Sequence, residues 1–433
     1  ASHGYSPLKQ IDRANVGTLG LAWSLSLASG TNAIAPIVHD GVMFINSNGT
    51  VQALDARNGE SIWKFVRPAT TTRVPNSQTR GMALYGDALF VPTIDNHVIA
   101  LDARTGRVRW DHVIGKPAEQ LQLTAAPLVV RGKVIQGVAG CQGGEYGGGC
   151  YIVALDAATG EEAWRFRTIA RPGEPGGDSW NGAPWNKRYG GSVWVTGSYD
   201  ADLNLVYFGV GQTYSISTLL DPQGRKGTST DALFTNTTLA INPDSGKLVW
   251  HYQHAPGDVW DLDWSFERTL ATLGGRRIVV TGGKLGIFDA LDAKTGDYLW
   301  SRDLGLQNLV TAIDPKSGRK RYDPALTPVV GTPKLVCPST IGNRNWMSTA
   351  YDPGTHLLYV PVTPTCMDYS RMAQAGSASL EGFGELKITP RRLPKAFRWP
   401  CLVANLAICH ANSILRSAVA RTIVRIVGPT ILA

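Results

Sequence analysis

Short apolar runs that end at an acid or an asparagine, followed by a polar turn and a tryptophan, recur along the chain. Each run is typical of a strand, the turn contains a glycine that can adopt a positive φ, and the tryptophan lies on a second strand. Five segments have this form: ALDARNGESIW (53–63), ALDARTGRVRW (100–110), ALDAATGEEAW (154–164), AINPDSGKLVW (240–250) and ALDAKTGDYLW (290–300). The pattern therefore predicts five similar β-hairpins.

The spacing of the hairpins indicates how they are arranged. Successive tryptophans lie 47, 54, 86 and 50 residues apart, mostly close to the length of a four-stranded propeller blade, and the long interval has room for an insertion. Independent hairpins in a β-sandwich are the alternative, but sandwiches rarely repeat so regularly. The sequence therefore predicts an all-β fold, a β-propeller.

The last part of the chain breaks the pattern. Segment 348–362 should be followed by another hairpin, which GFGELK (382–387) would begin, but residues 387–433 contain no acid and only one glycine. We expect residues 1–386 to be an incomplete propeller domain. Residues 387–433 are then an aberrant basic tail, produced by a frameshift or similar damage. A genuine basic tail helix fits less well, because no apolar stripe with a 3.6-residue period is sustained there.

The net charge of +8 belongs to this tail. Eight of the 42 Lys and Arg residues lie in 387–433, and the other 34 are matched by 34 acidic residues in the remaining 386 positions. A neutral body argues against a nucleic-acid partner. No apolar run approaches the roughly 20 residues of a membrane helix, so we expect no membrane span. The chain begins at Ala1 without a signal peptide, which fits a mature secreted product or a fragment.

The segment HAPGDVWDLDW (254–264) concentrates three carboxylates and two tryptophans. In an extended segment, Asp261 and Asp263 would project from the same face, so their like charges would lie close together. We therefore expect a positive group or a shared proton beside them. Asp258, earlier in the segment, is interpreted as an ordinary loop acid.

The repeated hairpins together with WDLD resemble the quinoprotein alcohol dehydrogenases over roughly residues 4–386. Members of that family are eight-bladed propellers that bind pyrroloquinoline quinone and a metal ion on the central axis. The resemblance implies the same fold here, with about five to six blades encoded.

The resemblance also implies four metal ligands. Glu145 is the only charge in the glycine-rich loop GCQGGEYGGGC (140–150), which is followed by a strand and is therefore not a nucleotide loop. Gln212 lies where the family commonly has Asn, and its carbonyl oxygen suits a hard cation. Asp261 matches the catalytic base, and Asp263 matches the additional carboxylate of lanthanide-using members. The implied metal is Ca²⁺ or a lanthanide ion. A solvated loop acid is the alternative for Glu145, and a turn cap is the alternative for Asp263.

Further positions match family contacts to the quinone. A cofactor with three carboxylates favours cations and amide donors around its rim and aromatic faces above and below. Surface ion pairs are the alternative for the two cations among these positions. The implied contacts are Arg80, Thr124, Trp194, Lys284, Asn345 and Trp346.

Six cysteines bear on the compartment and on the cofactor. Cys337 and Cys366 match a family disulfide, and Cys141 and Cys150 could close the loop around Glu145. Two bridges would indicate an oxidising compartment, namely the periplasm. The family's adjacent-cysteine ring should fall near residues 74–75, where no cysteine occurs, and CLVANLAICH (401–410) is not the CxxCH of a c-type haem.

The implied function is a periplasmic dehydrogenase that oxidises an alcohol to an aldehyde or ketone. Asp261 would take the hydroxyl proton while hydride passes to the quinone. Electrons would pass to a separate acceptor such as a cytochrome c. The substrate would be a small or polymeric alcohol, and the residues favour secondary, polyol or polymeric alcohols. The alternatives are a noncatalytic propeller used for protein binding and an inactive, truncated quinoprotein.

Overall fold

A computed structural model of the 433-residue chain describes nine segments. They are residues 4–27, 33–67, 79–116, 119–141, 149–214, 216–221, 227–372, 386–391 and 420–425.

Five four-stranded antiparallel sheets follow one another along the described part of the chain. The first contains β1 (Ile37–His39), β2 (Val42–Ser47), β3 (Thr50–Asp55) and β4 (Ser61–Val66), and the second β5 (Ala83–Tyr85), β6 (Ala88–Pro92), β7 (His97–Asp102) and β8 (Val108–Val113). The third contains β9 (Leu128–Val130), β10 (Lys133–Gly137), β11 (Tyr151–Asp156) and β12 (Glu162–Arg167), and the fourth β13 (Ser198–Asp200), β14 (Leu205–Gly209), β15 (Thr237–Ile241) and β16 (Leu248–Gln253). The fifth contains β17 (Thr269–Leu273), β18 (Arg276–Gly282), β19 (Ile287–Asp292) and β20 (Tyr298–Asp303).

Smaller sheets and short helices complete the described structure. The remaining strands are β21 (Val310–Ile313), β22 (Lys320–Tyr322), β23 (Lys334–Val336), β24 (Ala350–Asp352), β25 (Leu357–Val362), β26 (Cys366–Arg371), β27 (Leu386–Arg391) and β28 (Ala420–Arg425). They pair as β21-β22, β23-β26-β27 and β24-β25-β28. The helices are α1 (Ser217–Leu220) and 3₁₀ turns at Val16–Thr18, Gly177–Ser179, Trp185–Lys187 and Pro324–Leu326.

All five predicted hairpins form, as β3-β4, β7-β8, β11-β12, β15-β16 and β19-β20. Their tryptophans tie one sheet to the next. Trp110 on β8 donates from Nε1 to the carbonyl of Ala157, 3.0 Å away in the turn of the third sheet. A Cβ on Gly160, which has a φ of +77°, would lie only 2.7 Å from that indole. Glycine is therefore needed there both for the turn and for the close approach of the ring.

This contact repeats from sheet to sheet and makes the sheets the blades of a propeller, so the predicted fold class is confirmed. The other indole bonds run from Trp23 to Ala56, Trp63 to Ala103, Trp164 to Pro243 and Trp250 to Ala293. The long interval between tryptophans contains three of the short helices, at Gly177–Ser179, Trp185–Lys187 and Ser217–Leu220. Strands β27 and β28 lie at residues 386–391 and 420–425, and the interpretation of 387–433 as an aberrant tail stays a prediction.

Candidate active site

The loop between β16 and β17 carries the two candidate carboxylates. Asp261 and Asp263 lie outside any strand, and Asp261 has a φ of +67°. The expectation of an extended segment is therefore wrong here, because a left-handed residue breaks the two-residue alternation. Both side chains are nevertheless buried, with 6% of each residue exposed.

Lys284, which follows β18, brings the two carboxylates together. Its Nζ donates to Oδ1 of Asp261 at 2.7 Å and lies 3.1 Å from Oδ2 of Asp263. Its backbone N–H donates to two carbonyl oxygens of the same loop, that of Leu262 at 3.2 Å and that of Asp263 at 3.1 Å. The positive group expected from the sequence is thus a buried lysine, so a surface ion pair is the wrong interpretation of Lys284.

Burial and charge act in opposite directions on this cluster. Burial raises the pKa of Asp261 well above its ordinary value, Asp263 raises it further, and Lys284 opposes both. Burial lowers the pKa of Lys284, but the two carboxylates outweigh it and hold that pKa above the ordinary value for lysine. The ammonium therefore stays charged, and Asp261 has an increased affinity for a proton.

Asp258 is buried with 1% exposure, so its interpretation as an ordinary loop acid is wrong. Its Oδ1 accepts a hydrogen bond from Trp260 N at 2.8 Å, and its Oδ2 accepts one from Leu262 N at 2.7 Å. Burial raises the pKa of Asp258 to about 6, against the lowering effect of these N–H groups and of Asn236. The carboxyl group thus holds the backbone N–H groups of the two residues that flank Asp261.

Gln212 lies beside Asp263. Its backbone N–H donates to Oδ1 of Asp263 at 3.1 Å, and a Cβ on the preceding Gly211 would come within 2.6 Å of the same oxygen. Gln212 is buried, with 5% of the residue exposed. Its carboxamide oxygen is a candidate donor on a residue whose backbone contacts one of the two carboxylates.

The remaining predicted ligand, Glu145, falls in residues 142–148 and lies outside the described residues. The cysteines that flank it, Cys141 and Cys150, form a disulfide, and so do Cys337 and Cys366, as expected. Within the portion that the structure describes, no three His, Cys, Asp or Glu side chains come together as a candidate metal cluster. The described candidate donors are thus two carboxylates and one amide.

Arg80 lies between two of the predicted aromatic contacts. Its guanidinium carbon is 5.1 Å from the ring centre of Trp194 and 5.5 Å from that of Trp346. Burial lowers the pKa of Arg80 to about 10. Its Nη1 donates to the Trp194 carbonyl at 3.1 Å, Nε is buried without a hydrogen-bond partner, and no carboxylate pairs with it among the described residues.

Thr124 shares the Trp194 carbonyl with Arg80, because its Oγ1 donates to that oxygen at 3.3 Å. The indole of Trp194 also contacts Phe266 edge to face, with ring centres 5.3 Å apart. Phe266 lies in the same loop as Asp261. The predicted quinone contacts Arg80, Thr124, Trp194 and Trp346 therefore form one group, which this aromatic pair connects to the carboxylate loop.

Asn345 is engaged within its own turn. Its Nδ2 donates to the carbonyl of Ile341 at 2.7 Å, and its Oδ1 accepts from Trp346 N at 2.8 Å. The neighbouring Asn343, which sequence reasoning missed, docks this turn on Lys284, since its N–H donates to the Lys284 carbonyl at 2.8 Å. The Asn343 amide also donates to the carbonyls of Leu285 and Leu306. The motif GNRNW contains both asparagines, and the sequence does not show which of them docks the turn. The two residues differ in burial, which only the structure reveals.

A buried network of polar and charged side chains packs against the loop that carries Asp261 and Asp263. His254 donates from Nδ1 to Oδ2 of the Asp289 carboxylate at 2.7 Å, and its Nε2 is hydrogen-bonded to Thr238 Oγ1 at 2.7 Å. Its ring stacks on Trp264 with a centre distance of 4.9 Å. Lys320 Nζ donates to the same oxygen of Asp289 at 2.7 Å. Every charge in this network is thus paired in the interior, as buried charges require.

Residues 1–303 match the sequence profile of the glucose/ethanol/alcohol dehydrogenase β-propeller domain, a PQQ family. The chain belongs to the quinoprotein alcohol dehydrogenase family. It is 36% identical over 383 residues to quinohemoprotein alcohol dehydrogenase ADH IIB of Pseudomonas putida, an alignment that covers 83% of this chain and 54% of that protein. The chain thus spans about half the length of the curated relatives it matches.

Solved structures of this family share the fold. The chain superposes on quinohemoprotein alcohol dehydrogenase ADHIIG from Pseudomonas putida HK5 with a TM-score of 0.79 and 33% identity, covering 89% of this chain and 59% of that one. It superposes on a europium-containing methanol dehydrogenase with a TM-score of 0.79 and 28% identity, covering 89% and 71%.

The described residues of this quinoprotein fit pyrroloquinoline quinone, the PQQ of the family. A planar anion needs a cation that is not already neutralised, and Arg80 has a buried Nε without a partner and no carboxylate beside it in the described segments. The same guanidinium lies against two indole rings, which suits a planar aromatic guest. The oxygen donors of Asp261, Asp263 and Gln212 fit a hard cation.

No helix in the described segments is long and apolar enough to cross a lipid bilayer.

Proposed function

We propose that this chain carries the catalytic propeller of a dehydrogenase that oxidises an alcohol to an aldehyde or a ketone with pyrroloquinoline quinone. The observation that carries the proposal is the buried Asp261 carboxylate, which is hydrogen-bonded to Lys284 and lies on a loop whose Phe266 contacts Trp194 in the group formed by Arg80, Trp194 and Trp346. A base, a cation and an aromatic cradle in one place are what this reaction requires.

The residues divide into two binding groups. Arg80, Thr124, Trp194 and Trp346 would hold the quinone, with Asn345 at the edge of this group. Asp261, Asp263, Gln212 and the predicted Glu145 would hold the metal ion. Bound together, the quinone and the metal ion supply a two-electron acceptor whose carbonyl group is polarised by the cation.

Asp261 is the proposed general base that takes the proton of the substrate hydroxyl group. A base works best when its pKa approaches the working pH, and burial shifts the pKa of Asp261 upward, in that direction. Lys284 holds Oδ1 of this carboxylate at 2.7 Å, which fixes the orientation of the group and compensates its charge. Burial of both side chains keeps bulk water away from the proton that moves.

The proposed metal ion is Ca²⁺ or a lanthanide. Both ions are hard cations that bind oxygen donors, and each added carboxylate favours the ion of higher charge. Asp263 supplies the added carboxylate within 3.1 Å of Lys284 Nζ. The europium-containing methanol dehydrogenase, which shares the fold, supports a lanthanide as one of the two choices.

Compartment, substrate and acceptor follow from the same proposal. The two disulfides favour an oxidising compartment, the periplasm. The substrate is proposed to be a secondary, polyol or polymeric alcohol, with electrons passing to a separate acceptor such as a cytochrome c. Residues 1–386 are proposed to form the propeller domain, with residues 387–433 an aberrant basic tail.

Reconstitution tests the proposal. Purified protein is incubated with pyrroloquinoline quinone and either Ca²⁺ or a lanthanide, and dye-linked oxidation is measured on a panel of primary, secondary, polyol and polymeric alcohols. We expect quinone binding with one of the metals and oxidation of at least one alcohol class. If no quinone binds with either metal, a noncatalytic scaffold or an inactive quinoprotein is the better description. Quinone binding without turnover would point to the inactive enzyme.

A further inference from the structure

The loop that carries Asp261 and Asp263 contains a residue in an unfavourable backbone conformation, which contacts from outside that residue must stabilise. Asp261 adopts a φ of +67°, a conformation that L-residues avoid unless the surrounding structure imposes it. The residues on either side of it are held by a single carboxylate, since Asp258 accepts hydrogen bonds from Trp260 N and Leu262 N. Two bonds that bracket one residue fix its backbone from both sides.

A second buried side chain extends this hold to the rest of the loop. Asn236 donates from Nδ2 to Oδ2 of Asp258 at 2.8 Å, and its Oδ1 accepts from Trp264 N at 3.0 Å. Trp264 directly follows Asp263. Both ends of the segment with the two candidate ligands are thus tied to one amide, which has no exposed surface.

Asn236 also reaches the other candidate ligand. Its backbone N–H donates to the carbonyl of Gly211 at 2.9 Å, and Gly211 immediately precedes Gln212. The Gln212 N–H in turn donates to Oδ1 of Asp263 at 3.1 Å. A closed chain of contacts therefore links Asp258, Asn236, the Gln212 segment and the carboxylate loop.

We propose that Asp258 and Asn236 form a clamp of two positioning residues that fixes Asp261 and Asp263 relative to Gln212. The clamp touches none of the reacting atoms. It sets the distance and direction of three candidate oxygen donors that come from two separate segments, the loop between β16 and β17 and the connection between β14 and β15. This proposal rests on the proposed function, in which those donors hold a metal ion.

A purely local role is the alternative, and the chain contains a matched case. Asp200, also 1% exposed, accepts hydrogen bonds from Asp202 N and Leu203 N at 3.0 and 3.3 Å and so caps a turn in the same way. No candidate site residue lies in that turn. Asp200 also accepts a hydrogen bond on Oδ2 from Arg277 Nε at 2.6 Å, so replacing it measures the loss of a buried turn cap together with an ion pair, away from the candidate site.

The test uses Tb³⁺ as the metal probe, without quinone or substrate, and reads its luminescence on excitation of tryptophan. The variants are Asp258→Ala, Asn236→Ala, their double combination and the control Asp200→Ala, each checked by thermal unfolding. We expect Tb³⁺ affinity to fall at least about tenfold in each single clamp variant, as for other residues that orient metal ligands. The double variant should lose no more than the larger single loss, because the two side chains act as a unit.

Hydrogen exchange of the unloaded protein gives a second readout that does not depend on metal. Exchange of the peptide covering residues 256–266 should be at least about tenfold faster in Asp258→Ala than in the full-length wild type, with Asp200→Ala unchanged there. Unchanged exchange would overturn the clamp. Equal loss of Tb³⁺ affinity in Asp200→Ala would overturn it as well, because the effect would then be general destabilisation.

The two proposals fail differently. If the wild type binds neither Tb³⁺ nor quinone, the proposed function fails, and hydrogen exchange still decides whether the clamp holds the loop. If the wild type binds both and the Asp258 and Asn236 variants bind Tb³⁺ as tightly, the clamp fails and the proposed function stands.

Discussion

Lys284 donates a hydrogen bond from Nζ to Oδ1 of Asp261 at 2.7 Å, and neither residue is more than 6% exposed. A buried ion pair is held only while both charges are present, since removal of one leaves the other uncompensated in the interior. The candidate base and its counter-charge are therefore coupled in stability as well as in chemistry.

Lys284→Met should strongly destabilise the unloaded protein. It leaves the carboxylates of Asp261 and Asp263 buried without a cation, and we expect the free energy of unfolding to fall by about 3–5 kcal/mol. Urea denaturation measures this, with the exposed Lys294→Met as the matched control. Adding Asp261→Asn to Lys284→Met should recover part of the loss. Equal effects at positions 284 and 294 would show that the buried pair is not what holds this region.

Asp261→Asn should remove turnover while quinone binding is kept. The amide has nearly the same shape but cannot accept the substrate proton, so kcat should fall at least about 100-fold. Quinone affinity is followed by quenching of tryptophan fluorescence, and kcat by dye-linked oxidation. Turnover that survives the substitution would exclude Asp261 as the base.

Asp263→Ala should weaken lanthanide-supported activity more than calcium-supported activity. Removing one carboxylate lowers the charge of the donor set, which matters more for a trivalent than for a divalent ion. The measurement is the ratio of lanthanide-supported to calcium-supported activity, which is compared between the variant and the wild type. An equal loss with both ions would mean that Asp263 only supports the loop, as a turn cap would.

The buried His254 should make stability depend on pH. Burial lowers the pKa of His254 to about 4, with Asp289 opposing and the cations Lys320 and Arg268 reinforcing the shift. Tyr252 packs on the same ring. The unfolded histidine takes up its proton near pH 6.5, whereas the folded one does so only near pH 4.

In that window the unfolded histidine binds more protons than the folded one, so the contribution of His254 to stability should fall by about 3 kcal/mol as the pH drops from about 6.5 to about 4. The raised pKa values of Asp258 and Asp261 act in the opposite direction in the same range. Asp289, with its pKa lowered to about 2, adds a separate loss only below about pH 4. The measurement is urea denaturation across this range for wild type and His254→Gln, because their difference isolates the histidine. A difference that is independent of pH would mean that His254 is already protonated in the folded protein.

Gly160→Ala should destabilise the contact between the second and third blades. The new Cβ would meet the ring of Trp110 at 2.7 Å. Gly132→Ala is the matched control in the same blade, because Gly132 also has a positive φ, +73°, but nothing within 4 Å of a Cβ. We expect Gly132→Ala to cost about 1 kcal/mol for the backbone alone. Gly160→Ala should cost about 2 kcal/mol more, from displacement of the indole. Equal thermal shifts would mean that the ring moves aside freely.

Much of the fold could be predicted because its signals are local. Apolar alternation, a turn glycine and a tryptophan recur within eleven residues, and strand pairing within a hairpin needs no distant contact. The spacing of about 50 residues then fixed the size of a blade. The hydrogen-bond acceptors of the indoles could not be predicted in this way, because Trp110 and the Ala157 carbonyl are 47 residues apart in the sequence.

The sequence by itself determined which chemical groups are present: the paired acids at 261 and 263, the lysine at 284 and the amide at 212. It also indicated a positive group or a shared proton near the acids, since two close carboxylates repel each other. Only the tertiary structure decided that Lys284 is that charge and that Asp258 is a buried acceptor rather than a loop acid. Burial and hydrogen-bond partners depend on which distant segments pack together, and such contacts leave no mark in the local order of residues.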